Sequence, residues 1–209
     1  MASQITHIVL TDKIFNHFLS KFDKQAFILG TSLPDIRHYS NATARSETHY
    51  DPANLQMVLN EPDSFQAGVI FHSVVDLTRV NFIKKNDVYK KYAPTDSSES
   101  FLKYFEDQIL YNKISDWQKI INYFDDLIPA EENLKNISRE LLLGWHKLLQ
   151  GYFKQIPNSA IRKPLAKIIG FPDEYIIEGE AKITEFEQQP ELINIILKFY
   201  DNFENLISE

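Results

Sequence analysis

Apolar side chains recur at helical spacing along nearly the whole chain. In residues 4–22 the apolar positions Ile8, Phe15 and Leu19 fall on one helical face, with Ser3 as a candidate N-cap. No segment alternates apolar and polar residues as a half-buried strand does. We therefore expect an all-α, single-domain multi-helix bundle over 1–209. The predicted helices cover residues 4–22, 23–29, about 60–84, 97–112, 115–124, 129–155, 159–169, 173–187 and 190–207.

Glycine and proline mark the expected breaks between these helices. Gly30 is typical of a helix C-terminus, and Pro34 disfavours a helical conformation at Leu33. Asp35 is therefore predicted to project from a fixed turn. Residues 38–54 are predicted to form an ordered loop that carries Arg45 and His49.

The most informative stretch runs from Phe65 to Val80, where His72 and Asp76 lie four residues apart in an apolar helix. That spacing places both side chains on one face, one turn apart. They can bind the same metal ion, or they can form a neutral hydrogen bond inside the core. An unpaired buried carboxylate costs several kcal/mol, so Asp76 must be paired, bound to a cation or turned to water.

Composition narrows the classes of function. The net charge is −7 and no Lys/Arg stripe stands out, so we predict no nucleic-acid footprint. There is no cysteine, which removes disulfides, thiolate ligands and a cysteine nucleophile. We find no signal peptide and no apolar run of transmembrane length, and we therefore expect a cytoplasmic protein. Any zinc site must use His and carboxylate ligands.

Five residues of the first 76 are candidate metal ligands. Asp35, His49, His72 and Asp76 would form a two-His, two-Asp set, which suits four-coordinate zinc. The second oxygen of Asp76 could bridge to another ion held by His7. Two-metal sites suit phosphodiester hydrolysis, because the ions help to generate the nucleophile and stabilise charge on the phosphoryl oxygens. Taken singly, Asp35 could instead cap a turn, and His7 could be a surface or capping residue.

The order of these residues along the chain and the sequence around each of them resemble those of a known family. Thr6-His7 opens a helix, Phe27-Ile28-Leu29-Gly30 leads to Pro34-Asp35-Ile36, and Thr48-His49-Tyr50 precedes Gly68-x-x-x-His72-x-x-x-Asp76. Over residues 5–80 this resembles the zinc-dependent phospholipase C family, which is related to the P1-type nucleases. The resemblance implies an all-α fold of the phospholipase C/P1 nuclease type. It also implies that Asp35, His49, His72 and Asp76 bind one metal, and that His7 shares Asp76 in binding a second.

The chain departs from the family pattern in two places. Secreted members use the amino terminus of the mature chain as a ligand, and here only removal of Met1 would expose the amine of Ala2. A further family ion is held by two later histidines and an acidic residue. After Asp76 this chain has only His146, with Gln150 four residues on, and we expect His146 to pack in the core. We therefore predict one or two zinc ions, or another divalent metal, in a metal-site half (1–84) followed by a helical remainder (85–209).

The leading hypothesis is a metal-dependent phosphoric-ester (phosphodiester) hydrolase acting on a small-molecule or lipid phosphodiester. Asp35 is the candidate for orienting the attacking water, because a carboxylate can accept its proton. Arg37 and Arg45 could contact a substrate phosphate, or pair with Asp35 or Glu47. The alternative is a catalytically inactive helical scaffold that keeps the fold and part of the site. HD-type phosphohydrolases are disfavoured because no adjacent His-Asp pair occurs, and no protein partner is predicted.

Overall fold

All regular secondary structure in the described residues is helical. The computed structural model describes residues 2–40, 43–168 and 170–208, and no strand occurs among them. The prediction of an all-α, multi-helix, single-domain protein is confirmed. Leu33–Ile36 and Tyr111–Lys113 are 3₁₀ helices. The α-helices are α1 (Gln4–Phe18), α2 (Lys24–Ser32), α3 (Arg37–Ser40), α4 (Arg45–Thr48), α5 (Leu55–Asn60), α6 (Ser64–Lys85), α7 (Val88–Tyr92), α8 (Asp96–Leu110), α9 (Trp117–Asn122), α10 (Pro129–Glu132), α11 (Arg139–Phe153), α12 (Ser159–Ile168), α13 (Asp173–Glu187) and α14 (Pro190–Ser208).

Helix α6 runs through the interior between two hydrophobic clusters. Every residue from Ala67 to Asp76 is buried. Val69 belongs to the larger cluster, which also draws on α1, α2, α8, α11 and α13, whereas Phe71 belongs to a smaller cluster with α1, α2 and α14. The segment 67–76 is buried on all sides, and other helices therefore enclose it. None of the described helices has the length and apolar character to cross a membrane.

Two glycines let α2 and α6 approach each other closely. A Cβ atom on Gly30 would lie 1.9 Å from the carbonyl oxygen of Phe65, and one on Gly68 would lie 2.1 Å from that of Phe27. The prediction that Gly30 ends a helix is wrong, because α2 continues to Ser32. Gly30 is required here for helix packing, where a side chain would collide with the backbone of α6.

Two further predictions are corrected by local structure. Leu33 is helical rather than extended (φ −61°, ψ −44°), because Pro34 occupies the first turn of the 3₁₀ helix that carries Asp35. The long helix predicted over 129–155 is two helices, α10 and α11. Ser138 begins α11 by accepting a hydrogen bond from the amide of Leu141, so its side chain sets a new helix start.

The predicted loop 38–54 also contains helices. Helix α3 extends through residues 38–40 and α4 covers Arg45–Thr48, while residues 41 and 42 lie outside the described part of the chain. His49 follows α4 directly in an extended conformation (φ −122°, ψ 139°). The amide of Tyr50 then donates a hydrogen bond to Ser73 Oγ on α6 at 2.9 Å. This bond fixes the segment that presents His49 to α6.

Candidate metal centre

The structure brings together all five residues that the sequence predicts as ligands. Asp76 lies at the middle of the group. Its carboxylate oxygens are 3.5 Å from His7 Nε2, 3.7 Å from His72 Nε2 and 3.8 Å from His49 Nε2. Asp35 Oδ1 lies 3.9 Å from His72 Nε2 on the opposite side. Helices α1 and α6, the 3₁₀ helix and the segment after α4 each contribute part of the cluster.

Each of the three histidines is fixed through its Nδ1 atom. His72 Nδ1 donates to the carbonyl oxygen of Thr31 at 2.8 Å, and His7 Nδ1 donates to that of Ser3 at 3.0 Å. His49 Nδ1 lies 2.9 Å from Thr48 Oγ1. The backbone bonds set the tautomer of His7 and His72, so their Nε2 atoms carry the lone pair. Histidines that bind metals are normally oriented by a second hydrogen bond of this kind.

The Nε2 atoms face the carboxylates and lack hydrogen bonds. The Nε2 atoms of His7, His49 and His72 are buried and have no hydrogen-bond partner within the described part of the chain. Asp76 Oδ2 is buried and without a partner in the same way. Leaving a buried polar group unsatisfied costs about 1–3 kcal/mol, and here four such atoms converge. One or two cations between them would satisfy these atoms.

The ligand atoms fall into two overlapping groups of three. One group is His7, His72 and Asp76, and the other is Asp35, His49 and His72; the ligand atoms within each group lie within 4.8 Å of one another. Around a tetrahedral ion with bonds near 2.0 Å, neighbouring ligand atoms are about 3.3 Å apart. The imidazole–carboxylate separations of 3.5–3.9 Å exceed that value by only a few tenths of an ångström, and the other pairs within each group lie within 4.8 Å. These buried His/Asp groups could hold a metal ion, and His72 belongs to both.

One oxygen of each carboxylate accepts a hydrogen bond from α1 or from the residues just before it. Asp76 Oδ1 accepts a hydrogen bond from the backbone nitrogen of Ala2 at 2.6 Å. Asp35 Oδ2 accepts one from Gln4 Nε2 at 2.8 Å. Gln4 precedes His7 by three residues and so shares its helical face, a spacing that is visible in the sequence. The start of α1 therefore orients both carboxylates.

Burial and mutual charge shift the pKa values of these groups in a direction that favours metal binding. Burial lowers the pKa of His72 to about 4, and nearby His7 acts in the same direction. Burial and the neighbouring His72 lower the pKa of His49 to about 3. Burial would raise the pKa of Asp76, but His7 and His72 hold it well below its usual range. At neutral pH these two histidines are neutral and Asp76 is ionised, which are the forms that bind metals.

His7 differs from the other two histidines. Burial alone would lower its pKa, but the adjacent Asp76 carboxylate raises that pKa above the ordinary value. Protons therefore compete for His7 at a higher pH than for His49 or His72.

The two arginines predicted to bind substrate lie at the rim of the cluster. Arg45 Nη2 is 3.9 Å from Asp76 Oδ2, and about half of the Arg45 side chain is exposed. Arg45 also borders a groove of about 810 Å³ that reaches Asp76, together with His49 and Tyr50. Arg37 is partly buried beside the 3₁₀ helix. Burial lowers its pKa, and the nearby Asp35 carboxylate opposes that shift only in part. Arg45 is thus the better placed of the two to meet a ligand in the groove.

The later residues His146 and Gln150 do not extend the cluster. His146 is buried, with Nε2 2.8 Å from Glu131 Oε1 and Nδ1 3.2 Å from the carbonyl oxygen of Phe124. Gln150 Nε2 donates to Asp125 Oδ1 at 2.8 Å. Both ring nitrogens of His146 are therefore occupied by protein groups, consistent with the core role expected from the sequence.

Asp107 is a structural residue that sequence reasoning missed. Its buried carboxylate accepts hydrogen bonds from the amide of Thr6 (2.8 Å), the hydroxyl of Thr6 (2.7 Å) and the hydroxyl of Tyr152 (2.9 Å). Asp107 therefore satisfies the free amide groups at the start of α1 from a distance of about one hundred residues in sequence. It anchors the turn that carries Ala2 and His7. No local pattern in the sequence indicates this contact.

Comparisons of the chain with protein-family models, curated proteins and solved structures give no match.

Proposed function

We propose that this protein is a metal-dependent phosphoric-ester hydrolase of the phospholipase C/P1 nuclease type. The observation that carries the proposal is the convergence of three buried histidine Nε2 atoms on two carboxylates, without hydrogen bonds of their own. A core that only needed polar satisfaction would pair these atoms directly, as it pairs His146 with Glu131. The all-α fold and the order of the ligands along the chain are consistent with the family resemblance.

The donor set fits one or two zinc ions. As the family resemblance implies, Asp35, His49, His72 and Asp76 would hold the first, and His7 with Asp76 would hold the second. Asp35, His49 and His72 form one compact group, and Asp76 Oδ2 lies 3.7 Å from His72 Nε2 and 3.8 Å from His49 Nε2. Neutral imidazole and carboxylate groups are both good ligands for zinc, and no thiolate is needed. A bound divalent ion supplies a Lewis acid that activates water and neutralises charge on phosphoryl oxygens. An Ala2 amine exposed by removal of Met1 would lie within reach of the same position, since its nitrogen is 2.6 Å from Asp76 Oδ1.

Asp35 is the residue we propose as the general base. Burial would raise its pKa, but His72 and His7 lower it below the ordinary value, so the carboxylate is ionised at neutral pH. Gln4 holds Oδ2, which leaves Oδ1 directed towards His72 and His38. Asp35 also lines a cavity next to the cluster. It is therefore placed to accept a proton from water that enters from that side.

Acid should release the metal in two steps. Because the pKa of His7 is raised and those of His49 and His72 are lowered to about 3 and 4, falling pH protonates His7 first. Ligands must be deprotonated to bind, so the ion at His7 should leave first as the pH falls, while the ion at His49 and His72 should remain to lower pH. Metal content of dialysed samples across pH 4–8 checks this. A single release step for all the metal would contradict the two-ion assignment.

The first test combines metal analysis with an activity assay. Protein purified without added metal or chelator should contain one or more equivalents of zinc by elemental analysis, and should hydrolyse bis(p-nitrophenyl) phosphate. Asp35→Asn keeps an oxygen ligand but removes the base, so hydrolysis should fall by about 100-fold or more with less change in metal content. The matched control is Asp126→Asn, which changes an exposed aspartate that is not one of the candidate ligands.

His146 and Gln150 are hydrogen-bonded to Glu131 and Asp125, away from the cluster. This supports the alternative, a helical scaffold that keeps only part of such a site. Metal-free protein that stays metal-free after zinc is supplied would overturn the hydrolase. Zinc binding without hydrolysis of any phosphodiester or phosphomonoester would favour the scaffold.

A further inference from the structure

A cavity of about 260 Å³ opens beside the Asp35 side of the metal centre. Its wall near the cluster is polar and includes Gln4, Asp35 and Lys103. Its apolar lining comes from α11, α12 and the residues before α13, namely Trp145, Leu148, Leu149, Leu165 and Phe171. The cavity therefore has one charged end at the metal centre and one apolar end in the helical remainder of the chain.

Lys103 supplies the positive charge at the polar end. It lies on α8, one turn before Asp107, and its side chain is partly buried. Within the described residues its ammonium group forms no hydrogen bond or ion pair. Burial lowers the pKa of Lys103, and the Asp35 carboxylate acts in the opposite direction. A lysine that is desolvated and also unpaired is costly unless it meets an anion.

Two other polar atoms at the cavity lack partners. Gln4 Oε1 and Trp145 Nε1 are buried and have no hydrogen bond within the described chain. Trp145 Nε1 is a donor only, and Lys103 Nζ offers three donors. Among the described residues, Trp145 Nε1 and Lys103 Nζ are thus donors without partners, whereas Gln4 Oε1 is an acceptor. The two donors suit an anionic oxygen group, and Gln4 Oε1 can accept from a hydroxyl of the same ligand.

We infer that Lys103 and this cavity select the substrate, an anionic phosphoric ester whose alcohol carries one small apolar or aromatic group. The inference rests on the proposed function and names its substrate class. Lys103 contacts a phosphoryl oxygen while the ester group occupies the space between Trp145, Leu148 and Leu165. Lys103 binds substrate and takes no proton in this role.

The size of the cavity sets the size of the group it takes. A cavity of about 150 Å³ holds a benzene ring, and pockets for drug-sized ligands begin at about 300 Å³. A cavity of about 260 Å³ therefore accommodates one substituted ring or a short alkyl chain. Two long acyl chains do not fit in this space. The occupant we commit to is a small aromatic or short-chain ester.

Binding of two unreactive phosphonates tests the inference without requiring turnover. Phenylphosphonate and methylphosphonate carry the same charge, and only the first has a ring for the cavity. We expect zinc-supplemented protein to bind phenylphosphonate at least about tenfold more tightly in calorimetry. Lys103→Gln should lower the affinity for both phosphonates by about tenfold or more, since a charge-assisted hydrogen bond is lost. Lys147→Gln, which removes an exposed charge from α11, is the matched control and should change neither.

Two variants from different helices fill the apolar end. Leu148→Trp on α11 and Leu165→Trp on α12 should each remove the preference for phenylphosphonate and leave methylphosphonate binding unchanged. Using two helices separates a filled cavity from a local folding defect, and circular dichroism with thermal unfolding checks both variants. Equal affinity for the two phosphonates in the unmodified protein would overturn the role of the cavity. Unchanged affinity in Lys103→Gln would overturn the role of Lys103.

The same samples distinguish this inference from the hydrolase proposal. Each variant is assayed for zinc content and for bis(p-nitrophenyl) phosphate hydrolysis. Zinc binding and hydrolysis with no effect of Lys103 or of the cavity variants would leave the hydrolase standing and refute the substrate class. Phenylphosphonate binding that depends on Lys103 in protein that never binds zinc would refute the hydrolase, and with it the ester as a substrate.

Discussion

Replacing His72 with alanine should abolish metal binding and hydrolysis. His72 belongs to both groups of ligand atoms, its Nε2 faces Asp35 and Asp76, and it is fully buried. Its removal therefore takes a ligand from the first ion and leaves only His7 and Asp76 near the second position. We expect zinc affinity to fall by at least about 100-fold, more than the loss of an orienting partner would cause. Zinc content by elemental analysis and a competition assay with a chromophoric chelator measure the change.

Single replacements of His7 and His49 should reduce zinc content less than replacement of His72 does. Each belongs to only one group, so each variant should lose one ion position and keep the other. The matched buried control is His146→Ala, which removes a histidine already bonded to Glu131 and Phe124. That variant should lose stability but keep its zinc. Full zinc occupancy in His72→Ala would remove the basis of the assignment.

Replacing Gly68 with alanine should disrupt both the fold and the metal centre. The new Cβ atom would lie 2.1 Å from the carbonyl oxygen of Phe27 and 2.9 Å from the amide nitrogen of Thr31, so α2 and α6 must separate. Overpacking of this kind costs about 1–3 kcal/mol and more when backbone must move. We expect the unfolding temperature to fall by about 5–10 °C, since 1 kcal/mol corresponds to about 2–4 °C at this size. Separation would also lengthen the hydrogen bond from His72 Nδ1 to the carbonyl oxygen of Thr31. Zinc affinity should then fall, because His72 would no longer be held in position.

Gly151→Ala is the control for this substitution. A Cβ atom on Gly151 meets no heavy atom within 4 Å, and Gly151 lies inside α11. Alanine should therefore stabilise the protein by about 0.5–1 kcal/mol through its higher helix propensity. Thermal unfolding of both variants at one pH makes the comparison. An unchanged unfolding temperature in Gly68→Ala would show that α2 and α6 can separate without cost.

Sequence reasoning was most successful where the relevant interaction is local. His72 and Asp76 lie four residues apart in one helix, and their 3.7 Å separation follows from helical geometry. The existence of α6 was predicted, but its start near Asn60 was placed too early, because Asn60 ends α5 and the N-cap of α6 is Asp63, whose side chain accepts from the amide of Gln66. Local capping and 3.6-residue periodicity depend on neighbours in the sequence, and so they can be read from it.

It was least successful where one residue type serves two purposes. Gly30 was interpreted as a helix end because glycine is common there, but its lack of a side chain is used for contact with Phe65. The break between α10 and α11 was missed because apolar residues on both sides keep helical spacing, while Asn133 is the C-cap of α10 and Ser138 is the N-cap of α11. Whether a glycine or serine acts locally depends on what packs against it.

The sequence by itself determined an all-α protein, a His/Asp pair on one helix and a set of candidate ligands in the first 76 residues. Only the tertiary structure decided that these ligands meet, because His7, Asp35 and His49 lie on separate segments whose approach depends on the packing of α2 against α6 through Gly30 and Gly68. It also decided which histidines keep a free Nε2 atom, since hydrogen bonds to Thr31, Ser3 and Glu131 come from the folded backbone and from distant side chains. The positions of Lys103 beside the cavity and of Asp107 beside the start of α1 depend on tertiary packing for the same reason. Helix periodicity is a property of neighbours in sequence, whereas a metal site is a property of neighbours in space.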